Sequence, residues 1–439
     1  MDAFRTPDWV KHAVFYQIFP DRFANGDPSN DPANVQPWGT PPTPYNFMGG
    51  DLRGILQHLD YLQELGVTAV YLNPIFQSTS NHRYNTYDYY RIDPKLGTME
   101  DFHALLAEMH RRGMRLILDG VFNHCGRGFY PFHDVVENGS HSPYVHWFHI
   151  KRFPIYPYDG RKKANYESWW GIRSLPKFNT DYPPVRQFLL GVARYWIEQG
   201  ADGWRLDVPN EIDDDEFWRE FRQVVKSANP DAYIVGEIWK DARRWLQGDQ
   251  FDAVMNYLLR DLCMEFLAKE AMDAPAFARG LTRLFQRYPQ EATYAQLNLL
   301  GSHDTPRWLT VCSGDVTRAM LGYVVLFTVP GAPCIYYGDE IGMTGEADPH
   351  CRACFEWDRR RWNRRLREHV RRLVALRRSH TAWRTGAFRV LYAEGSVVAY
   401  ARWEEEATFV VALNAGENGW EGALPVRSPV LRGVRTLRD

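Results

Sequence analysis

Three acids stand where short β-like runs give way to loops: Asp207 in GWRLDVPNE, Glu237 in VGEIW and Asp304 in GSHDTPR. Carboxyl groups suit proton transfer and attack on an electrophilic carbon. Arg205 lies two residues before Asp207. In a strand that spacing puts both side chains on one face, opposite Trp204, Leu206 and Val208. A cation beside a carboxylate lowers its pKa and keeps it ionised, and an ionised carboxylate with little solvation is a nucleophile. Any one of these acids alone reads as a cap or an ion-pair partner. Three at the ends of different strands are harder to place that way. Crowded like charges raise one another's pKa, which is costly unless a protonated form has a use. Glycoside hydrolysis has that use: one carboxylate attacks the sugar and another, kept protonated, donates to the leaving oxygen. Carboxyl groups about 5–5.5 Å apart then give retention of configuration. Asp119, Asn123 and His124 close a further run, LILDGVFNH, and His303 precedes Asp304.

Such groups converge only if a scaffold brings several strand ends together. Eight strand candidates run through the chain: AVFYQIF, VTAVYLNPI, RLILDGVF, GWRLDV, YIVGEI, DAVMNY, LNLLGS and PCIYYG. Amphipathic helical patterns such as GDLRGILQHLDYLQELG and PPVRQFLLGVARYWIEQG separate them. Alternation of this kind predicts an α/β fold, a (β/α)8 TIM barrel whose strand ends all open on one face. One connection is long: about fifty residues rich in His, Tyr, Trp and Pro follow LILDGVFNH, which suggests a small inserted domain. The expected layout is a barrel over 1–124 and 181–378, an insert over 125–180 and a small antiparallel β domain over 379–439. The last of these rests on FRVLYA, SVVAYARW and TFVVALN.

Composition narrows the partners. The formal net charge is -2, so neither nucleic acid nor an acidic membrane is attracted in general. The basic segment WDRRRWNRRLREHVRRLVALRR has Leu366, Val370, Leu373 and Val374 at helical spacing and reads as an outer barrel helix with a solvated face. The longest apolar stretch, from Ala319, is broken by Pro330, Gly331 and Pro333, so it reads as a buried helix and strand, not a membrane span. No signal peptide is evident at the N-terminus. The six cysteines form no framework, so reduced thiols in a cytoplasm are expected, and CRAC reads as a loop with two thiols. Aromatics at 15% fit either a large aromatic core or a cleft lined with flat rings for sugars.

The ordered set DGVFNH, GWRLDVPNE, VGEIW and GSHDTPR resembles the four signature regions of the α-amylase family of retaining glycoside hydrolases. LPKFN resembles its fifth region and GAPCIYYGDEIGM its closing strand. Within the family the chain is most similar to the neopullulanase and cyclomaltodextrinase group, over most of residues 12 to 358. The resemblance implies Asp207 as nucleophile, Glu237 as general acid/base and Asp304 as a third carboxylate on sugar hydroxyls. It implies that Arg205 orients Asp207 and that His124 and His303 bind the glucose unit at the cleavage point. Tyr84 in HRYNTYDY would be that sugar's stacking platform, Trp239 an acceptor-side aromatic, and Asp119 and Asn123 structural supports. The expected activity is hydrolysis of α-1,4-glucosidic bonds, with α-1,6 bonds a further option. The expected partner is an α-glucan: maltooligosaccharides, cyclodextrins, pullulan or starch. The alternatives are transglycosylation at the same intermediate and a non-catalytic barrel subunit, although such subunits lose acids that this chain keeps.

Two features depart from the family pattern. Asn85 stands where Asp is more common, and the sequence begins at the first barrel strand without the group's N-terminal β domain. The latter suggests a monomer or weak dimer with a more open site that favours longer, linear substrates. Finally, RFANGDPSND and GGD place Asn25, Asp27, Asn30, Asp31, Gly49 and Asp51 together. By composition this is a turn with Asx hydrogen bonds. Its spacing also resembles the calcium loop of neopullulanase relatives, which implies a structural Ca²⁺ away from the catalytic acids.

Overall fold

The computed structural model describes residues 4–405 and 407–423. Eight short strands form a closed parallel barrel. They are β1 (Phe15–Ile18), β2 (Ala69–Leu72), β3 (Arg115–Gly120), β4 (Gly203–Leu206), β5 (Tyr233–Gly236), β6 (Ala253–Asn256), β7 (Leu297–Leu299) and β8 (Ala332–Tyr336). Seven fall within their candidate runs, β8 begins one residue before PCIYYG, and β8 pairs back onto β1 to close the ring. Nearly every strand residue is buried, as expected when side chains fill the barrel on one face and meet the helices on the other. Phe15, Ile117, Tyr233, Met255 and Leu299 belong to the cluster that fills the interior. Trp204 points outward, where its indole N–H donates to the Ala193 carbonyl of the helix Pro183–Glu198.

Local signals set the helix ends. Thr98 and Asp101 make a reciprocal capping box at the start of Met99–Arg111, and Asp214 caps Asp215–Ala228. The basic helix Arg364–Ser379 buries Leu366, Val370, Leu373 and Val374, so its charged face is the outer surface of a barrel helix. Among the described residues no helix is long and apolar enough to cross a membrane.

Two excursions rise from the strand ends. An antiparallel hairpin of Phe76–Ser78 and Thr86–Ile92 follows β2. Between β3 and β4 lies the long connection, with the helix Tyr130–Asn138 and isolated bridges such as Phe148 with Phe178 and Ser168 with Pro176. Phe132, Phe148, Tyr166 and Phe178 are buried within it. After the barrel, β9 (Ala387–Glu394), β10 (Val397–Trp403) and β11 (Thr408–Asn414) form a three-stranded antiparallel sheet. Residues 424–439 of the expected C-terminal domain lie outside the described residues.

Candidate active site

Register builds the centre of the site. Asp119 on β3 pairs with Arg205 on β4, so both side chains turn inward at the same level. Arg205 is fully buried. Its Nη1 donates to Asp119 Oδ1 at 2.8 Å and to Asp207 Oδ1 at 3.0 Å. Its Nη2 lies 3.0 Å from Glu237 Oε2, outside the alignment of a directed hydrogen bond, so this contact is coulombic. One guanidinium thus joins three carboxyl groups from three consecutive strand ends. Asp119 also accepts the hydroxyls of Tyr71 and Tyr84, each at 2.7 Å. Glu237 accepts the Val208 peptide N–H and the Trp239 indole N–H, each at 3.1 Å.

The strand alternation expected through Val208 stops early. β4 ends at Leu206, and Val208 has φ 37° and ψ 49°. A β-branched residue in the left-handed region is strained. The twist turns Val208 out of the core side that Trp204 and Leu206 share. Its side chain lines the cleft and its N–H reaches Glu237.

The charges also depart from expectation. Arg205 was expected to hold Asp207 below the usual carboxylate range. Burial outweighs it: Asp207 is pushed well up, Arg205 limits the rise, and Glu237, Asp119 and Asp304 add to it. Glu237 is raised by burial, lowered by Arg205 and raised again by Asp304. Five carboxyl groups here, those of Asp119, Asp207, Glu237, Asp304 and Asp348, face only two guanidinium groups, those of Arg205 and Arg352. Crowding of this kind favours holding a proton within the set.

Asp304 is more open than Asp119, Asp207 or Glu237. It contacts His303 Nε2 at 3.0 Å and accepts from Arg352 Nη2 at 3.1 Å. His303 Nδ1 faces the Gln17 amide at 2.9 Å and Nε2 faces the Tyr84 hydroxyl at 2.7 Å. The amide donor assigns the proton to Nε2. Burial and the nearby Arg352 drive the His303 pKa far down, so the ring is neutral. His124 is likewise neutral, with burial lowering its pKa to about 3. The Tyr84 ring lies parallel to His303 at 5.4 Å. The loop holding Tyr84 is pinned by buried Arg83, which pairs with Asp93 at 2.9 Å. Asn85 accepts from Ser78 at 2.7 Å and donates to Thr79 at 3.2 Å, so it fastens the same hairpin. Trp239 stacks on Tyr257 with centroids 3.7 Å apart.

Asp207, Glu237, Asp304, Tyr84, His124, His303 and Trp239 line one cleft of about 720 Å³. Arg205 lies beneath it. A second groove of about 670 Å³, between Phe285 and Phe388, has no carboxyl group, so volume alone does not pick out the site. The cleft also contains residues the sequence reading missed. Arg352 sits inside CRAC, whose two free thiols are buried while the arginine between them reaches Asp304 and pairs with Asp348 at 3.1 Å. Trp169 and Trp170 come from the long connection, where aromatic richness was the available signal. Lys177 of LPKFN donates to the Glu211 carbonyl at 2.7 Å and ties that connection to the loop after β4.

The oxygen-rich loop lies away from these acids. Asp51 accepts the N–H groups of Gly26 at 3.0 Å and Asp27 at 2.8 Å, and the Asn30 amide at 3.1 Å. Asn25 donates to Asp31 at 2.8 Å. The amide oxygens of Asn25 and Asn30 are buried and unpartnered. Gly49 has φ 80°, and a side chain there would meet Asp31 Oδ1 at 2.3 Å. Burial raises Asp31 and Asp51. Unpartnered oxygens beside buried Asp51 and half-buried Asp31 fit a hard cation. Asp27 differs in already facing a cation: its carboxylate accepts from Ser29 at 3.0 Å and pairs with Arg53 at 2.8 Å. Among the described residues no three His, Cys, Asp or Glu side chains gather as a metal-ligating group.

Comparison with known proteins agrees with this geometry. Residues 17–386 match the family model described as alpha amylase, catalytic domain, and residues 388–438 match the neopullulanase-like C-terminal domain. A cyclomaltodextrinase of Geobacillus thermopakistaniensis is 50% identical over 430 residues, spanning 97% of this chain and 72% of the relative. Neopullulanase 2 of Thermoactinomyces vulgaris is 47% identical over 422 residues, spanning 95% and 72%. The solved structure of a cyclic α-maltosyl-(1→6)-maltose hydrolase from Arthrobacter globiformis, in complex with that sugar, superposes with a TM-score of 0.91. It is 49% identical and covers 93% of this chain and 92% of the other. With the barrel, the sheet beyond it and the carboxyl cluster at the strand ends, the chain belongs to the α-amylase family of glycoside hydrolases.

Proposed function

We propose that the protein hydrolyses α-1,4-glucosidic bonds with retention, through a covalent glucosyl-enzyme at Asp207. The observation that supports this most is the one guanidinium in contact with both Asp207 and Glu237 at the floor of a single cleft. Arg205 aims Nη1 at Asp119 and Asp207 but faces Glu237 off axis, so the retained proton belongs on Glu237. An ionised Asp207 attacks the anomeric carbon while the bond to the leaving oxygen breaks and Glu237 gives that oxygen its proton. Water then attacks the same carbon, loses its proton to Glu237 and releases Asp207, leaving the α configuration. Asp304, held by Arg352 and His303, is placed to grip sugar hydroxyls. His124 Nε2 is a buried donor with no well-aligned acceptor.

The substrates are maltooligosaccharides, cyclodextrins, pullulan or starch, in line with relatives named for cyclomaltodextrin and pullulan. Initial rates and products with cyclodextrin, pullulan and starch, measured separately, test this. Release of no reducing sugar from any of them would refute it. Trp239, 43% exposed and stacked on Tyr257, supports a second reading in which a sugar acceptor replaces water. Products longer than the substrate at high concentration would show it.

The loop of Asn25, Asn30, Asp31, Gly49 and Asp51 holds a structural Ca²⁺ in this account, supported by its two unpartnered amide oxygens. Asp27, whose carboxylate pairs with Arg53, is the weakest candidate of the predicted set. The six free, buried thiols support a reducing, cytoplasmic setting, and sedimentation tests whether the protein is a monomer or weak dimer.

A further inference from the structure

Trp170 combines three properties that do not favour stability. Its side chain is 78% exposed, it sits at φ 51°, and it lies at the cleft wall. A bulky residue in the left-handed region stores strain, and strain of this kind persists where the surroundings enforce it, commonly at ligand sites. The enforcement is visible. The Trp170 ring stacks on Trp169 with centroids 4.5 Å apart and planes 12° from parallel. Trp169 in turn stacks on His124 at 5.7 Å and 26°. The three rings make a column from the cleft floor to its rim.

Trp169 Nε1 is buried without an acceptor, and His124 Nε2 has no well-aligned one, with only the Tyr84 carbonyl near the ring. Asn123 Nδ2 faces His124 Nδ1 at 3.2 Å, which assigns the proton to Nε2. A buried N–H left unsatisfied is costly and marks a place where a ligand oxygen belongs. The outer face of Trp170, left open at the end of the stack, and the N–H donors along its edge suit a pyranose, which offers an apolar C–H face and a rim of hydroxyl acceptors.

We propose that the His124–Trp169–Trp170 stack props Trp170 at the cleft rim as the outer platform for a glucan sugar beyond the bond being cut. This rests on the hydrolase reading above and assigns Trp170 to chain-length selection. Short chains end before the platform and long chains reach it.

The test compares wild type, Trp170→Ala and Trp170→Phe by kcat/KM on maltotriose and maltoheptaose, with a melting curve for each. In Trp170→Ala the ratio of maltoheptaose to maltotriose efficiency is expected to fall about tenfold. In Trp170→Phe, which keeps a ring, most of the ratio should return. The melting temperature should not drop in either variant, because the residue is exposed and strained. A ratio that stays within about twofold of wild type in Trp170→Ala, at tenfold per 1.4 kcal/mol, overturns the platform while leaving the hydrolase reading intact. A wild-type protein that cuts neither glucan overturns both.

Discussion

Glu340 follows β8, and its carboxyl is completely buried with no Lys, Arg or His paired to it among the described residues. The Tyr16 hydroxyl donates to Oε1 at 2.8 Å, the Tyr61 hydroxyl donates to the same oxygen, and Oε2 has no partner. Burial pushes this acid from the ordinary 4.5 up to about 7, against the pull of the two tyrosines. The folded chain therefore keeps a proton that the unfolded chain releases. Stability tied to Glu340 is complete below pH 4.5 and is lost as pH rises through about 7. The full loss is about 3 kcal/mol, at 1.36 kcal/mol per pH unit. Glu340→Gln cannot ionise and should escape it. For a chain of this length that corresponds to roughly 3 °C in melting temperature. The assay is thermal unfolding of wild type and Glu340→Gln at pH 5 and pH 8. Asp207, Glu237 and the other buried acids are common to both proteins, so subtracting the two changes isolates Glu340. Wild type should lose about 3 °C more than the variant between the two pH values. Parallel behaviour would refute the reasoning, because Glu340 would then be ionised or solvated throughout.

Asp207→Asn should fold and melt near wild type, since Arg205 keeps Asp119 and Glu237, but turnover should fall below about 1%. Higher residual activity would remove Asp207 as nucleophile. A chelator should lower the melting temperature and added Ca²⁺ restore it, whereas an unchanged melting curve in excess chelator would count against a cation at Asn25 and Asn30. At Val208, φ 37° reverses the usual order of Ala over Gly, so Val208→Gly should melt at or above Val208→Ala. A clearly more stable Val208→Ala would show that the twist carries no strain.

The barrel was legible because each strand is a short apolar run bounded by turn residues, and eight such runs separated by helices have few other ways to pack. Asp207, Glu237, Asp304, His124 and His303 were legible for a related reason: they sit at strand ends, and closure brings all strand ends to one mouth. What escaped depends on contacts between distant segments. Arg352 looked like filler between two cysteines, and only the fold of the loop after β8 carries it to Asp304. The hairpin strand Thr86–Ile92 was read as a motif around Tyr84, not as a strand, because its partner Phe76–Ser78 is three residues long. The Val208 twist opposes the preference of a β-branched residue, so local sequence argues against it. The opposing push of burial on Asp207 is not legible, because spacing reveals a neighbouring arginine but not how thoroughly water is excluded.

The covalent step at Asp207 is the claim on which the mechanism turns, and trapping tests it most directly. Wild type would be incubated with 5-fluoro-α-D-glucopyranosyl fluoride, whose ring fluorine slows breakdown of a glycosyl ester, then digested and analysed by mass spectrometry. The account expects one sugar per chain, attached to Asp207 in the peptide containing GWRLDVPNE. A label on Glu237 or Asp304, or inactivation with no label on Asp207, would contradict it.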